Sequence, residues 1–483
     1  MLKFILNDQT IETDLPAGMT VLDFVRYRQD LKGTKIGCRE GDCGACTVLV
    51  GELSGELDGG KVNYRSMTSC LMPLANAYGK HIVTVEGINK PDGGLTCVQQ
   101  AMTDENGTQC GFCTVGFVMS LTGFCVDDTP KTAEAAVSSV DGNICRCTGY
   151  KSIERAAEQL SKQWAEGRRQ NNDLSNLSFA ITNEVVPPYF SCIKERLVEL
   201  KSTMDCPPPT AHRQLIAGGT DLYVQRPEEM AGMDTATGNY VFDSPELRAI
   251  TEDETHVEIG ASAVVTDLLV SPVCQRLFPD LYKHLKLISS TPIRNMATLA
   301  GNFANASPIG DMTAWFLALD AEIELSEMRS EPGAVATGFL ESRWLALKDL
   351  YLGYKQLAKN ENEFITKIRF RKSFTHFNFE KVCKRTWLDI ASVNTAISLR
   401  VDSGVVTDAH VSAGGVAPIP MYLTKTSEFL RGKEISEATI AQANEIIQTE
   451  ISPISDVRGS EEYKRLLLRQ LFTAHFVELF GHL

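Results

Sequence analysis

Eight cysteines fall into two sets whose types and spacing could bind metal. The first set is Cys38, Cys43, Cys46 and Cys70. Its core is the run Gly37-Cys38-Arg39-Glu40-Gly41-Asp42-Cys43-Gly44-Ala45-Cys46-Thr47, a C-x4-C-x2-C pattern. The second set is Cys110, Cys113, Cys145 and Cys147, a C-x2-C pair followed at a distance by C-x-C. Four thiolates gathered by folded chain make a soft cage that suits an iron–sulfur cluster or zinc.

The two sets differ in what their spacing says. The C-x4-C-x2-C pattern with a distant fourth cysteine is the plant-type [2Fe–2S] spacing. Zinc ribbons instead present two C-x2-C knuckles. The glycines around Cys38–Cys46 let a loop reach positive φ and bring backbone N–H groups close to sulfur. For the second set the C-x-C pair is not ferredoxin-like, and zinc and iron–sulfur both remain open on spacing alone.

Two further stretches could hold a phosphate-bearing ligand. Leu215-Ile216-Ala217-Gly218-Gly219-Thr220-Asp221-Leu222 is a short apolar run into paired glycines and a hydroxyl. Such a turn can aim N–H groups at phosphate, although a lone Gly-Gly-Thr equally marks an ordinary strand-to-helix turn. Downstream, Ile293-Arg294-Asn295-Met296-Ala297-Thr298-Leu299-Ala300-Gly301-Asn302 runs into Asn305-Ala306-Ser307-Pro308-Ile309-Gly310-Asp311 and then an apolar helix, Met312–Leu319. The pattern suits a dinucleotide crevice that is not of the Rossmann type, since no G-x-G-x-x-G occurs.

The elements that must position these groups read as follows. Lys3–Asn7 and Thr10–Leu15 predict strands, Thr20 predicts a helix cap, and Val48–Val50 and Lys61–Tyr64 predict strands of the same sheet. From Leu95 to Trp164 the periodicity turns helical, in four segments with the second cysteine set at their ends. Residues 166–183 read as a polar linker. Past about residue 360, Glu363–Phe370 and Ser392–Val401 predict strands, and Ile435–Gln448 and Ser460–Phe480 predict helices. In the last helix Tyr463, Leu466, Leu467, Leu471, Ala474 and Val477 are expected to face the core.

At 483 residues one core is too few and several domains are expected. The boundaries predicted are 1–88, 89–165, a linker over 166–183, 184–360 and 361–483. A net charge of −14 argues against nucleic acid and anionic membrane as main partners. No stretch reads as a signal peptide or a membrane span, so a cytoplasmic location is expected. In that reducing setting clustered cysteines serve metals more often than disulfides. Cys97, Cys125, Cys192, Cys206, Cys274 and Cys383 show no paired spacing and are expected to be buried free thiols. None of the eight histidines is in a ligand pattern.

Taken together the motifs resemble the molybdenum hydroxylase family, and within it the small iron–sulfur and flavin subunits of bacterial xanthine dehydrogenases. The resemblance implies an α+β multidomain fold. It would comprise a β-grasp ferredoxin-like [2Fe–2S] domain, a four-helix-bundle [2Fe–2S] domain, an α+β FAD-binding domain and a C-terminal α+β flavoprotein domain. It implies that Cys38, Cys43, Cys46 and Cys70 ligate one cluster, and Cys110, Cys113, Cys145 and Cys147 the cluster nearer molybdenum. Gln109 would contact the pterin. Leu215 to Leu222, Thr298 to Asn302, Asp311, Ile365 and Lys381 would contact FAD. The sequence departs from the family pattern at Val115, Ile288 and Leu388. The implied partners are a molybdopterin-binding large subunit, in a dimer of heterodimers, and NAD⁺ or another electron acceptor. The implied activity is an electron relay for purine oxidation, xanthine to urate, with the molybdenum site on the partner chain. Other readings are the same relay serving an aldehyde or a heteroaromatic such as nicotinate, and a non-catalytic zinc-stabilised interaction protein.

Overall fold

The structure is a computed structural model. It describes all residues except 55–59, 171–173, 203–212, 328–340, 386–387 and 482–483. The chain forms two compact units. The first takes in residues 1–208, Arg213–Tyr240 and Ser290–Met296; the second takes in Val241–Ser289 and Ala297–Leu483.

The first unit opens with a five-stranded sheet made of β1 (Leu2–Leu6), β2 (Gln9–Thr13), β3 (Thr47–Ser54), β4 (Lys61–Thr68) and β5 (His81–Val83). Their order is β2-β1-β5-β3-β4. β1 runs parallel to β5, and the other pairings are antiparallel. Helix α1 (Val21–Tyr27) starts where predicted, because the Thr20 hydroxyl accepts from the Asp23 amide. Its Leu22, Phe24 and Val25 are buried, with Phe24 edge-on to Phe4 of β1.

Four helices follow: α2 (Cys97–Asp104), α3 (Thr114–Val126), α4 (Ala133–Ser138) and α5 (Lys151–Gln170). Thr96 and Gln99 form a reciprocal capping box at α2. α3 is apolar on every side and buried from Gly116 to Val126, which makes it the central helix of the group. α5 is amphipathic and buries Ile153, Ala156, Ala157, Leu160 and Trp164. Residues expected to be linker are largely helical. α5 runs on to Gln170, and α6 (Asn176–Thr182) is capped by Ser175. Phe179 of α6 sits edge-to-face on Trp164 at 4.7 Å. A single buried aromatic carried this short segment into the core, which a polar composition average does not register. Two short parallel strands, β6 (Gln214–Ile216) and β7 (Gly238–Tyr240), complete the unit.

The second unit holds two larger sheets. One comprises β8 (Ile250–Glu252), β9 (His256–Gly260), β10 (Glu322–Glu327) and β11 (Ser342–Ala346), with β14 (Glu363–Arg371) at its centre; β12 (Tyr351–Gly353) and β13 (Gln356–Leu357) form a separate hairpin. The other is an antiparallel sheet of β15 (His376–Val382), β16 (Val393–Asp402), β17 (Val405–Gly414) and β18 (Met421–Tyr422). β16 is buried from Val393 to Leu399 because both of its faces are covered. On one side Ser398 and Ser412 hydroxyls donate to the Ala318 and Ala314 carbonyls of the helix Asp311–Leu317 and its C-terminal turn, each at 2.6 Å. On the other side lies the helix Glu461–Phe480.

That last helix turns a different face inward from the one expected. Lys464, Leu468, Leu471, Phe472, His475 and Phe476 are buried, whereas Tyr463, Leu466 and Val477 are exposed. The helix is apolar over more than one stripe, so periodicity alone left its rotation undetermined. Lys464 goes inside because its ammonium donates to the Ile454 carbonyl and the Asp456 carboxylate. One of the unpaired cysteines also differs from expectation. Cys125 and Cys274 are buried and Cys97 and Cys383 half-buried, but Cys192 is exposed, and Cys206 lies outside the described residues. Cys192 ends a short 3-10 turn begun by Pro188, where its thiol can donate to the Tyr189 carbonyl. No helix among the described residues is long and apolar enough to cross a membrane.

The rotation of the last helix can be checked directly. We expect Phe472→Ala to cost about 3–5 kcal/mol, and Leu466→Ala less than about 0.5 kcal/mol. Urea unfolding midpoints decide; equal losses would contradict the observed face.

Candidate functional site

The eight thiols converge in pairs. Cys38 and Cys43 share a hydrogen bond, as do Cys46 and Cys70. In the second set Cys113 pairs with Cys145, and the Cys147 and Cys110 sulfurs lie 3.7 Å apart. Two thiolates held tetrahedrally by one metal at about 2.3 Å lie about 3.8 Å from each other. The Cys110–Cys147 pair therefore has the spacing of two ligands on one metal. Among the described residues no group of three or more His, Cys, Asp or Glu could hold a metal ion. Each set thus brings its thiols together as two pairs, a division that suits a cluster of two irons.

The loops that place these thiols also donate to them. The Glu40 and Cys43 amides point at the Cys38 sulfur at 3.3 and 3.4 Å, and the Cys38 amide points at the Cys43 sulfur at 3.4 Å. At the second set the Thr148 amide and hydroxyl both donate to Cys145, at 3.4 and 3.1 Å. N–H and O–H donors of this kind set the basicity of a ligating sulfur. The hydrogen bond from Cys43, with those amides, draws the Cys38 thiol down to about 5, against the opposing effect of its burial. Burial pushes the Cys113 thiol up to about 12.

Exposure differs between the pairs. Cys46 and Cys70 are buried, whereas Cys110 and Cys147 are exposed. Around the exposed pair stand Gln109 and two large apolar side chains on the surface, Phe112 and Tyr150. Tyr150 is held at φ 69° with its hydroxyl accepting from the Cys145 amide.

The predicted phosphate-binding turn lies in the first unit. β6 ends at Ile216, and a short helix begins at Leu222. Ala217, Thr220, Asp221 and Leu222 are part-buried, and the Ala217 carbonyl accepts from the Asn76 amide side chain. A Cβ on Gly218 would stand 1.8 Å from the Met296 carbonyl, so only glycine lets these two backbones approach. Gly219 occupies φ 78°.

The other predicted flavin residues lie in the second unit. Thr298 caps the helix Leu299–Asn305, its hydroxyl accepting from the Gly301 amide. Leu299 is in the core, Ala300 packs against it, Gly301 is exposed, and Asn302 accepts from the Thr313 hydroxyl. Ile365 on β14 and Ile288 are both core residues. Lys381 and Asp311 come together: the Lys381 ammonium donates to the Asp311 carboxylate at 2.7 Å and to the Leu287 carbonyl at 2.8 Å. The lysine side chain is 0% exposed. Asn394, which sequence reasoning missed, donates to the other Asp311 oxygen at 2.6 Å. Its own side-chain oxygen is buried without a hydrogen-bond partner among the described residues. It was missed because one asparagine in a β-strand carries no spacing signal. Leu388 is buried at φ 50°, an uncommon conformation for a non-glycine residue. The histidines are structural where buried; desolvation lowers His81 and His475 to about 3, so both stay neutral.

Comparison with known families accounts for nearly the whole chain. Residues 4–75 match the 2Fe-2S iron-sulfur cluster binding domain, and residues 84–158 the [2Fe-2S] binding domain. Residues 194–371 match the FAD binding domain in molybdopterin dehydrogenase, and residues 379–479 the CO dehydrogenase flavoprotein C-terminal domain. This chain is an iron–sulfur and flavin member of the molybdenum hydroxylase family. Xanthine dehydrogenase 1 of Arabidopsis thaliana is 27% identical to it, over 96% of this chain and 38% of that protein. Xanthine dehydrogenase of Emericella nidulans is 29% identical over 90% of this chain and 35% of that protein. The chain thus spans well under half the length of these relatives. A solved chain of carbon monoxide dehydrogenase from Hydrogenophaga pseudoflava shares the fold, at a TM-score of 0.50 and 24% identity over 58% of this chain and 99% of that one. The family models carry two [2Fe–2S] domains and an FAD-binding domain into this chain, in the order the cysteine sets and glycine turns predict.

Two outcomes follow from this geometry. In metal-free protein the Cys38 thiolate persists down to about pH 5. Its alkylation by iodoacetamide should therefore lose rate only below about pH 5, rather than below the usual thiol range near 8.5. Peptide mapping across pH checks this. Lys381→Met leaves Asp311 buried beside Asn394 without its cation, and should destabilise the second unit by about 3–5 kcal/mol. Differential scanning calorimetry reads the loss.

Proposed function

We propose that this chain is the electron-transfer subunit of a xanthine dehydrogenase, joining a molybdopterin-bearing large subunit to NAD⁺. The observation that carries the reading is the two-plus-two convergence of thiols in both cysteine sets. Bound there, two [2Fe–2S] clusters would accept and release single electrons, and FAD would pair them for a two-electron acceptor.

Each part of the chain then has a role. Cys110, Cys113, Cys145 and Cys147 hold the cluster where electrons enter, and Cys38, Cys43, Cys46 and Cys70 hold the next one. Gln109, Phe112 and Tyr150 surround the exposed thiols and are assigned as the face that meets the large subunit, with Gln109 against the pterin. Leu215–Leu222 offers the close-packed glycine turn suited to a flavin pyrophosphate. Thr298–Asn302, Asp311, Ile365 and Lys381 are further flavin-contacting positions. The unsatisfied Asn394 oxygen beside Asp311 supplies a hydrogen-bond acceptor of the kind a flavin ring N–H needs. Purine oxidation is the reaction proposed for the complex, because the relatives matched over nearly the whole of this chain are xanthine dehydrogenases. A dimer of heterodimers is the proposed assembly.

Purified protein should contain about four iron and one FAD per chain; zinc in place of iron would sink the reading. In the co-purified complex, Cys113→Ser or Cys147→Ser should abolish reduction of FAD by xanthine while leaving its reduction by NADH close to normal. Stopped-flow flavin absorbance separates the two reactions. Unchanged reduction by xanthine would remove the second cysteine set from the relay.

A further inference from the structure

The two cysteine sets are tied to each other by backbone. The Ile144 amide donates to the Cys43 carbonyl at 3.0 Å. Ile144 immediately precedes Cys145, so one hydrogen bond joins a residue of the first set to the neighbour of a residue of the second. Beside it the Asn143 side-chain amide donates to the Gly44 carbonyl at 3.1 Å, in a fully buried contact. The Asn143 side-chain oxygen in turn accepts from the Ser120 hydroxyl of α3 at 2.7 Å.

Glycines make this approach possible. A Cβ on Gly44, which sits at φ 65°, would lie 2.3 Å from the Gly142 carbonyl and 2.4 Å from the Asn143 amide nitrogen. A Cβ on Gly116 of α3 would lie 2.1 Å from the Gly44 carbonyl. Both clashes are with backbone or with the bridging side chain itself, so neither can be relieved by a flexible neighbour.

We infer that the Asn143–Ile144 segment is the bridge that fixes the spacing of the two clusters and carries the electron between them, with Asn143, Gly44 and Gly116 as its positioning residues. This rests on the iron–sulfur reading of the eight cysteines. The step is a single electron passing from the reduced cluster at Cys110, Cys113, Cys145 and Cys147 to the oxidised one at Cys38, Cys43, Cys46 and Cys70. No bond is made or broken and no proton moves. The reductant is the molybdenum centre of the large subunit, or dithionite in its place. The bridge helps because a hydrogen-bonded covalent path is shorter and better coupled than a gap through unbonded side chains.

The test uses the full chain loaded with iron and FAD. Fully reduced by dithionite, each [2Fe–2S] cluster is paramagnetic, and two at fixed short separation split each other's electron paramagnetic resonance lines. Asn143→Leu removes the donor to Gly44, and Gly116→Ala pushes the Gly44 carbonyl away from the other side. Both should retain about four iron per chain yet show weakened splitting. Inter-cluster transfer should slow severalfold, since the rate falls as the path between the clusters lengthens or loses a hydrogen bond. Ser120→Ala removes only the hydrogen bond at the far end of Asn143 and should keep the wild-type splitting. Wild-type splitting and rate in loaded Asn143→Leu or Gly116→Ala would overturn the inference. So would equal loss in Ser120→Ala, which would mean general loosening, or failure of both bridge variants to take up iron. Absence of iron from the wild-type chain would instead overturn the cluster assignment beneath it.

Discussion

Thiols repel one another once ionised, and four of them do not gather without backbone that forces them together. The structure meets that constraint with two short loops locked by hydrogen bonds to main-chain carbonyls, from the Ile144 amide to Cys43 and from the Asn143 side chain to Gly44. Everything else in the first unit serves those loops. The sheet β2-β1-β5-β3-β4 anchors Cys46 and Cys70 at the ends of β3 and β4, where the Ser69 amide and hydroxyl both reach the Cys46 carbonyl. The fully apolar α3 carries Cys113 at its N-terminal cap, and α5 starts just beyond Cys147. Burial of α3 from Gly116 to Val126 brings its Ser120 hydroxyl against the Asn143 side chain.

The exposed and buried pairs share one chemistry but face different surroundings. Cys46 and Cys70 are shielded from solvent, which keeps a low dielectric around whatever they hold. Cys110 and Cys147 are open, with Phe112 and Tyr150 beside them. Exposed aromatics at a redox edge are the composition of an interface core, since they bury large area at small entropic cost. The second unit applies a different rule. There the polar groups are inside, in the chain Lys381–Asp311–Asn394, and each is held by at least one charge-assisted hydrogen bond. Among the described residues the Asn394 oxygen is the member of this network left without a hydrogen-bond partner.

Some of this was legible from residues alone. Cysteine spacing is a local property, because C-x4-C-x2-C and C-x2-C fix how a loop must curl whatever surrounds it. Strand and helix positions were legible for the same reason, and Thr20 and Ser460 cap the helices they were expected to begin. The helical stretch 176–182 was not, since the contacts that bury it, with Phe179 on Trp164 and Ala180 in the same core, are with residues far from any motif. Nor was the face of the last helix, where apolar residues occupy more than one stripe and the rotation that buries Leu468, Phe472 and Phe476 also sets Lys464 against two oxygen partners.

The sequence by itself determined the number of thiols, their grouping into fours, the glycine turns and the alternation of sheet and helix, since all of these follow from short-range spacing. The tertiary structure alone decided that each four divides two and two, that Asn143 and Ile144 join the sets, and that Asn394 stands beside Asp311. Those facts depend on segments up to about a hundred residues apart meeting within hydrogen-bond distance, and no local pattern specifies which donor will find which acceptor across such a loop.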